Sequence, residues 1–431
     1  MPSFEPYFSY KDNSLFAEGV SLESIAQTHG TPTFVYSKKH ILDAYQEFAD
    51  AAVARPWGAP VMVCYAIKAN SNLAILNVLA KAGAGFDIVS GGELERVIAA
   101  GGNPSKIVFS GVGKKREELL QALEVGVRCF NVESESELAR LSELAVSVNK
   151  IAHVSLRVNP NVDAGTHPYI STGLKENKFG IAHERTLEVY KLASTLPNLQ
   201  VTGIDCHIGS QITDVAPFMA ALEKVLELFD QLSNAGIELT HLDLGGGLGI
   251  PYKAGEIPPK RGYLLAKVFE RLAQHPKARS LEVMFEFGRS IVGNAGVLLT
   301  RVEHLKPTAA KNFAIVDAAM NDLIRPTLYQ AHHAIVEVKR NANNLPQTEY
   351  DVVGPVCESG DWLARSRLLA IAEDDLLAIG SAGAYGMTQS SNYNSRPRAC
   401  EVMVDGDKAF VVRERESIPS LFALERFLPA T

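Results

Sequence analysis

Between Lys38 and about Glu286 the sequence repeats one pattern: a short apolar run of strand length, then a longer stretch with apolar residues at helical spacing. The runs are VMVCYAI (61–67), FDIVS (86–90), KIVFS (106–110), RCFNV (128–132), AHVSLRV (152–158), VTGIDCH (201–207), HLDL (241–244) and LEVMFEF (281–287). Amphipathic segments such as NLAILNVLAKAGA and ESELARLSELA lie between them, and Gly83 and Gly126 close two of these. Eight strands with intervening helices fit a closed barrel or an open doubly wound sheet. The polar residues discriminate. Lys68, Asp87 with Ser90, Ser110, Asn131, Arg157 with Asn159, His207, the Gly245, Gly246 and Gly247 run, and Glu286 with Arg289 each fall at or just beyond a strand's C-terminal end. A barrel gathers such ends around one mouth, whereas an open sheet strings them along an edge. The expected fold is therefore an α/β protein with a (β/α)8 TIM-type barrel over residues 38–288.

After Arg289 the pattern changes. AGVLLTRVEHLK, NFAIVDA, EYDVVG, DLLAIG, ACEVMVDG and KAFVVRE are short, β-branched and separated by Gly, Asp and Asn turns. They predict a second, all-β domain of barrel or sandwich type. The N-terminal stretch lies outside the barrel, so residues 1–37 and 289–431 are expected to form this domain discontinuously. One connection, residues 159–180, exceeds the usual barrel loop and is expected to be functional or mobile.

Composition narrows the class. Of 431 residues, 42 are basic and 49 acidic, a formal net charge of -7, which argues against a nucleic-acid partner. No apolar run approaches the roughly 20 residues that span a bilayer, so no membrane association is expected. The opening MPSFEPYFSYKDN lacks a signal-peptide layout, and five widely spaced cysteines without a CxxC pair suit reduced thiols. A cytoplasmic protein without structural zinc is expected.

Strand alternation puts Met62, Cys64, Ala66 and Lys68 on one face and Val61, Val63, Tyr65 and Ile67 on the other. Small residues beneath a lysine suit a barrel interior, so Lys68 is expected at the mouth, where desolvation makes an amine nucleophilic. DLGGGLG (243–249) follows the seventh strand, a usual place for phosphate in barrels, and its glycines let backbone N–H groups approach an anion. EFGR (286–289) puts a carboxylate beside a guanidinium, and CHIGSQ (206–211) sets a histidine against a small polar turn. Taken singly, each has a plainer structural explanation: a snorkelling lysine, a tight turn, an internal ion pair, a hydrogen-bonded histidine. Together they are what pyridoxal 5'-phosphate (PLP) requires: an amine for its aldehyde, an anion cradle, a flat cover for its ring and an acid at its ring nitrogen.

In order, YAIKAN, FDIVSGGEL, CHIGSQ, LDLGGGLGIPY, EFGR, RPTLY, GPVCESGDWLA and GAYGMTQSSNYNSRPR resemble the fold-type III PLP decarboxylases, most closely the diaminopimelate decarboxylases. The resemblance runs from about Pro32 to the last strands. It implies decarboxylation of meso-2,6-diaminopimelate to L-lysine and CO2, the last step of lysine biosynthesis. It makes Lys68 the lysine that takes the cofactor aldehyde, His207 the residue stacked on the ring and Glu286 the acid at the ring nitrogen. Ser210, Gly245, Gly246 and Gly247 would hold the phosphate with Arg289 and Tyr385, and Asp87, Phe287 and Gly288 complete the cofactor set. Substrate contacts would come from Arg289, Arg325, Tyr329, Glu358 and Tyr385, with Cys357 as proton donor. The CES segment would cross to a second copy, giving a homodimer with shared active sites; no metal is implied. The family's usual EPGR is EFGR here, and Phe287 should point away from the cofactor by alternation.

A thiol holds a deliverable proton near neutrality, which suits Cys357. Diaminopimelate carries a second carboxylate and a second amine; Arg289 and Arg325 suit the carboxylate, and Glu358 suits the ammonium. Four other readings stand beside this one: a decarboxylase of ornithine, lysine or arginine type, a racemase, a silent regulatory homologue, or a phosphate-binding barrel without PLP. Glu286 disfavours the racemase, which needs a poorer electron sink; Lys68, Cys357 and Glu286 together speak against silence.

Overall fold

Chain continuity and backbone pairing build the barrel first. In the computed structural model, which describes residues 6–174, 176–340 and 345–429, eight strands form one parallel sheet. They are β1 (Val61–Ala66), β2 (Gly85–Ile88), β3 (Ile107–Phe109), β4 (Cys129–Val132), β5 (Ala152–Asn159), β6 (Leu199–Asp205), β7 (His241–Asp243) and β8 (Glu282–Phe287). Parallel pairing runs β5–β6–β7–β8–β1–β2–β3–β4, and β4 pairs with β5 to close the ring. Each strand agrees with its apolar run to within two residues at either end. The helices between them start on side-chain caps where the sequence provides one: Asn72 accepts from Ala74 N, Ser90 from Glu93 N and Ser134 from Glu137 N. Ser90 is therefore a helix cap.

Alternation sorts the side chains of each strand. Met62, Cys64, Val108, Cys129 and Met284 form one buried cluster inside the ring. On β8, Phe285 and Phe287 take the opposite face: Phe287 stacks on Phe48 of the helix Lys38–Val53 at 3.9 Å between ring centroids, and on Phe285 at 5.5 Å. Pairing of β1 with β2 ends at Ala66–Asp87, and Ile67–Ala69 turn into a 3-10 helix, so Lys68 sits on a turn just past the strand. The long connection also gains a definite account. Thr172 N donates to Ile208 O at 3.2 Å, its Oγ1 donates to His207 O at 3.0 Å, and Ser210 N donates to Ile170 O at 3.1 Å. It is a strap laid on the His207–Ser210 backbone; Lys175 within it lies outside the described residues.

By contacts the chain divides into two compact units, Leu42–Ile250 with Ile257–Ile291, and Met1–Ile41 with Pro251–Glu256 and Val292–Thr431. In the second unit, Gly296–Pro307 pairs antiparallel with Thr33–Ser37, which pairs parallel with Cys400–Asp405. An N-terminal strand is thus enclosed between two C-terminal ones, over a core that includes Phe8, Leu15, Leu22, Val35, Val297 and Val402. The strand Trp362–Leu369 does not stand out in the sequence: Arg365, Ser366 and Arg367 interrupt its apolar run, and Ser366 adopts φ 52° where its pairing with Thr348–Val353 slips.

The stacked position of Phe287 makes a prediction. Phe287→Ala should destabilise the protein by about 3–5 kcal/mol, the usual cost of emptying a buried aromatic site, seen as a lowered urea midpoint. A loss under about 1 kcal/mol would contradict the packing described.

Candidate active site

The ends of β1, β2 and β8 bring the first groups together. Gly288 sits so close to the turn after β1 that a Cβ there would lie 2.9 Å from Ala66 O and from Ala69 Cβ. Lys68 Nζ reaches Asp87 Oδ2 at 2.8 Å; Asp87 is buried, and the lysine side chain is 36% exposed. This pairing holds the amine at the mouth and keeps its charge compensated. Oδ1 of Asp87 has no hydrogen-bond partner.

Glu286 projects inside the ring, as alternation with Phe287 requires. Its Oε1 accepts from Ser110 Oγ at 3.3 Å and from Asn131 Nδ2 at 3.4 Å, both neutral donors. Asn131 Nδ2 lies equally 3.4 Å from Asp243 Oδ2. Oxygens of Asp205, Asp243 and Glu286 all fall within 4.8 Å of one another, and all three residues are buried. Burial, then Asp243 and Asp87, push Glu286 well above the usual carboxylate range; burial, then Glu286, do the same to Asp205. Asp243 is pushed up to about 8 by burial and then by Asp205. Arg157 bonds Glu133 Oε1 at 3.0 Å and stands 4.0 Å from Asp205 Oδ2.

The glycine run forms the floor beside these acids. Gly245 and Gly247 have φ of 63° and 107°, conformations that side chains rarely adopt. A Cβ on Gly246 would lie 1.9 Å from Glu286 O, and one on Gly247 2.3 Å from Gly209 O. Gly246 N donates to His207 Nδ1 at 3.1 Å, so a neutral His207 carries its proton on Nε2. Burial, then Arg157 and Lys68, hold that imidazole well below its ordinary pKa, which keeps it neutral and flat. Ser210 Oγ accepts from Arg289 Nη2 at 3.0 Å and Nε at 3.3 Å, placing a hydroxyl and a guanidinium beside the same turn.

These groups fit PLP. The amine, the flat imidazole, the glycine turn with Ser210, and a buried acid whose described partners are all neutral share the C-terminal ends of one barrel. Lys68, Asp87, His207, Ser210, Gly245, Gly246, Gly247, Glu286, Gly288 and Arg289 come together there. The Phe287 side chain does not join them: it belongs to the helix-facing layer, and only its backbone follows the EFGR turn. Asp205 escapes the sequence reading, and Asp243 enters it only as the start of the glycine motif. The available signal was an acid within an apolar strand.

The remaining predicted residues belong to the second unit. Arg325 is buried, its Nη1 2.9 Å from His333 Nε2 and its guanidinium 4.6 Å above the Tyr252 ring. His333 Nδ1 faces Gly380 O at 2.8 Å, which sets the ring so that Nε2 accepts from Arg325. Tyr329 lies on the same short helix, Arg325–Tyr329, with its hydroxyl accepting from Gln389 Nε2 at 3.2 Å. Thr327 Oγ1 donates to Gly360 O at 2.7 Å, tying that helix to the CESG turn. On this turn Cys357 is exposed, its N donating to Asn394 Oδ1 at 3.1 Å, and Glu358 Oε1 accepts from Tyr393 Oη at 2.6 Å. Tyr385 adopts φ 56°. The structure thus groups Arg325, Tyr329, Cys357 and Glu358. His333 was not anticipated; only the adjacent HH pair marked it.

Comparison with known proteins bears on the whole chain. Residues 39–293 match the family described as pyridoxal-dependent decarboxylase, pyridoxal binding domain. The diaminopimelate decarboxylase of Pseudomonas aeruginosa is 59% identical over 98% of this chain and 99% of its own. That of Aquifex aeolicus is 44% identical over 97% of each. Among solved structures, the diaminopimelate decarboxylase of M. jannaschii in co-complex with L-lysine superposes with a TM-score of 0.94 at 38% identity, covering 100% of this chain and 99% of that one. The Helicobacter pylori enzyme complexed with L-lysine gives 0.88 at 41%, over 94% and 98%. Identity this deep, spread over both units and nearly the full length of the relatives, makes the chain a member of the diaminopimelate decarboxylase family of PLP-dependent decarboxylases.

Proposed function

We propose that the protein converts meso-2,6-diaminopimelate to L-lysine and CO2, as the last step of lysine biosynthesis, and that it works in the cytoplasm as a homodimer with shared active sites. The observation that carries the substrate choice is Arg325, a buried guanidinium set by His333 and stacked on Tyr252. A buried arginine shaped to grip a planar carboxylate selects a substrate that has a second one, and penalises diamino acids that lack it. Names and complexes of the relatives agree with this: they are diaminopimelate decarboxylases, two of them solved with L-lysine.

Each residue then has a task. Lys68 would hold the cofactor aldehyde, and Asp87 Oδ2, 2.8 Å from Nζ, holds that amine at the barrel mouth. Gly245, Gly246, Gly247, Ser210 and Arg289 would hold the phosphate, with Tyr385; His207 covers the ring with a neutral face. Glu286 would face the ring nitrogen. When bound, PLP supplies a conjugated ring that accepts the electrons freed at the substrate α-carbon as CO2 departs. Cys357 Sγ returns a proton to that carbon. Arg325, with Arg289 and Tyr329, holds the distal carboxylate, while Glu358 takes the distal ammonium.

Support for the dimer is that Cys357 lies exposed on the single chain, on a turn free to serve a second copy's site. Support for the cytoplasm is that the five cysteines are all unpaired, and that among the described residues no helix is long and apolar enough to cross a membrane.

Four outcomes are expected. Carbon dioxide release measured across diaminopimelate, lysine, ornithine and arginine with added PLP should be confined to diaminopimelate; faster release from ornithine or lysine would assign the protein to another substrate. Borohydride treatment of the PLP-loaded protein should fix the cofactor to a peptide containing Lys68, and Lys68→Ala should retain none. Arg325→Ala should lower kcat/KM by about 10²-fold, corresponding to roughly 3 kcal/mol, chiefly through KM and with PLP still bound. Finally, equal mixing of Lys68→Ala and Cys357→Ala dimers, with subunit exchange verified, should restore about one quarter of wild-type activity, since half the dimers then hold one intact shared site. No recovery would place Cys357 in its own chain's site.

A further inference from the structure

We propose that Asp243 is a positioning residue that holds a proton beside Glu286, leaving Glu286 anionic toward the cofactor's ring nitrogen. The inference rests on the reading of Glu286 given above and extends it to a residue with no assigned task.

Geometry makes the division of labour. Asp243 Oδ1 accepts from Gly245 N at 3.0 Å, and Oδ2 lies 3.4 Å from Asn131 Nδ2. The same Asn131 nitrogen lies 3.4 Å from Glu286 Oε1, and Glu286 N donates to Gly245 O at 2.7 Å. Asp243, through the shared Asn131 amide, therefore joins the glycine turn that would meet the phosphate to the acid that would meet the ring nitrogen. The two ends of one cofactor are set by a single connection.

Charge then decides where the proton sits. The ionisable groups facing Asp243 are the carboxyls of Asp87 on β2, Asp205 on β6 and Glu286 on β8, and the thiols of Cys64 on β1, Cys129 on β4 and Cys206 just past β6, whereas the cations Lys68 and Arg157 act on Glu286. Lys68 is paired with Asp87 and Arg157 with Glu133, and Arg157 also stands within 4.0 Å of Asp205. Glu286 gains a cation when the protonated pyridine binds. Asp243 gains none: its described partners are a backbone N–H and a neutral amide. Two buried carboxylates this close do not both stay ionised without a cation apiece, so the proton settles on the acid with no positive partner. Its raised pKa, about 8, agrees.

Asparagine mimics a protonated aspartic acid in shape and charge, which makes the proposal testable apart from turnover. Wild type, Asp243→Asn, Asp243→Ala and Glu286→Gln should be stripped of cofactor and reconstituted with PLP carrying 15N in its ring. Wild type and Asp243→Asn should show the same protonated-nitrogen chemical shift and PLP dissociation constants within about threefold of each other. Glu286→Gln should lose the protonated shift and, like Asp243→Ala, bind PLP more than about tenfold more weakly. In the cofactor-free protein the sign of the pH effect is fixed. A carboxyl raised in the folded state stabilises fully below its unfolded pKa, and this contribution is lost as pH rises through the folded value. The Tm of wild type should therefore fall relative to that of Asp243→Asn between about pH 4 and about pH 8. Asp243→Asn that behaves like Glu286→Gln, or a Tm difference constant over that range, overturns the proposal and leaves the reading of Glu286 intact. Glu286→Gln with an unmoved nitrogen signal overturns that reading, and the proposal with it. Should Asp243→Ala not fold, the comparison of Asp243→Asn with wild type decides alone.

Discussion

Pairing of β4 with β5 closes the sheet, and the rest of the barrel unit follows from that closure. In a closed parallel ring every strand has an inner and an outer face, and all the C-terminal ends point to one mouth. Period-two alternation then needs no further instruction. Met284 and Glu286 go inward while Phe285 and Phe287 go outward to Phe48 and Phe269. Had the same strands formed an open sheet, Asp87, Asn131, Asp243 and Glu286 would be spread along an edge, unable to act on one another.

Closure also creates an electrostatic demand. Acids that would be harmless on a surface are pressed together where water cannot separate them, and the barrel answers with neutral hydrogen-bond donors, Ser110 and Asn131, more than with cations. The glycine turn works by the opposite means. Gly246 lies where any side chain would strike the Glu286 carbonyl, so the backbone itself becomes the binding surface. The strap from 159 to 180 then fixes the backbone of His207 and Ser210, so that both residues are positioned by one loop.

The second unit uses a different logic of selection. A guanidinium buried between Tyr252 and His333 has its direction set by a ring whose own tautomer is set by Gly380 O. Thr327 ties the arginine's helix to the turn that carries Cys357 and Glu358. Groups suited to a distal carboxylate, a distal ammonium and a proton donation are thereby placed on connected backbone.

Much of this was legible in the amino-acid order. Strand positions, strand faces, the glycine turn and the candidates Lys68, His207 and Glu286 rest on local periodicity and short motifs, which depend on neighbours a few residues apart, whereas Arg325, Tyr329, Cys357, Glu358 and Tyr385 came from the family resemblance alone. The interrupted strand Trp362–Leu369 escapes that reading because pairing partners, not local pattern, extend a strand. The meeting of Asp205, Asp243 and Glu286, the bracing of Arg325 by His333 and the anchoring of the long loop were decided by tertiary structure alone. Each joins groups from separate segments, and the distance between two side chains is a property of the closed fold that no run of residues contains.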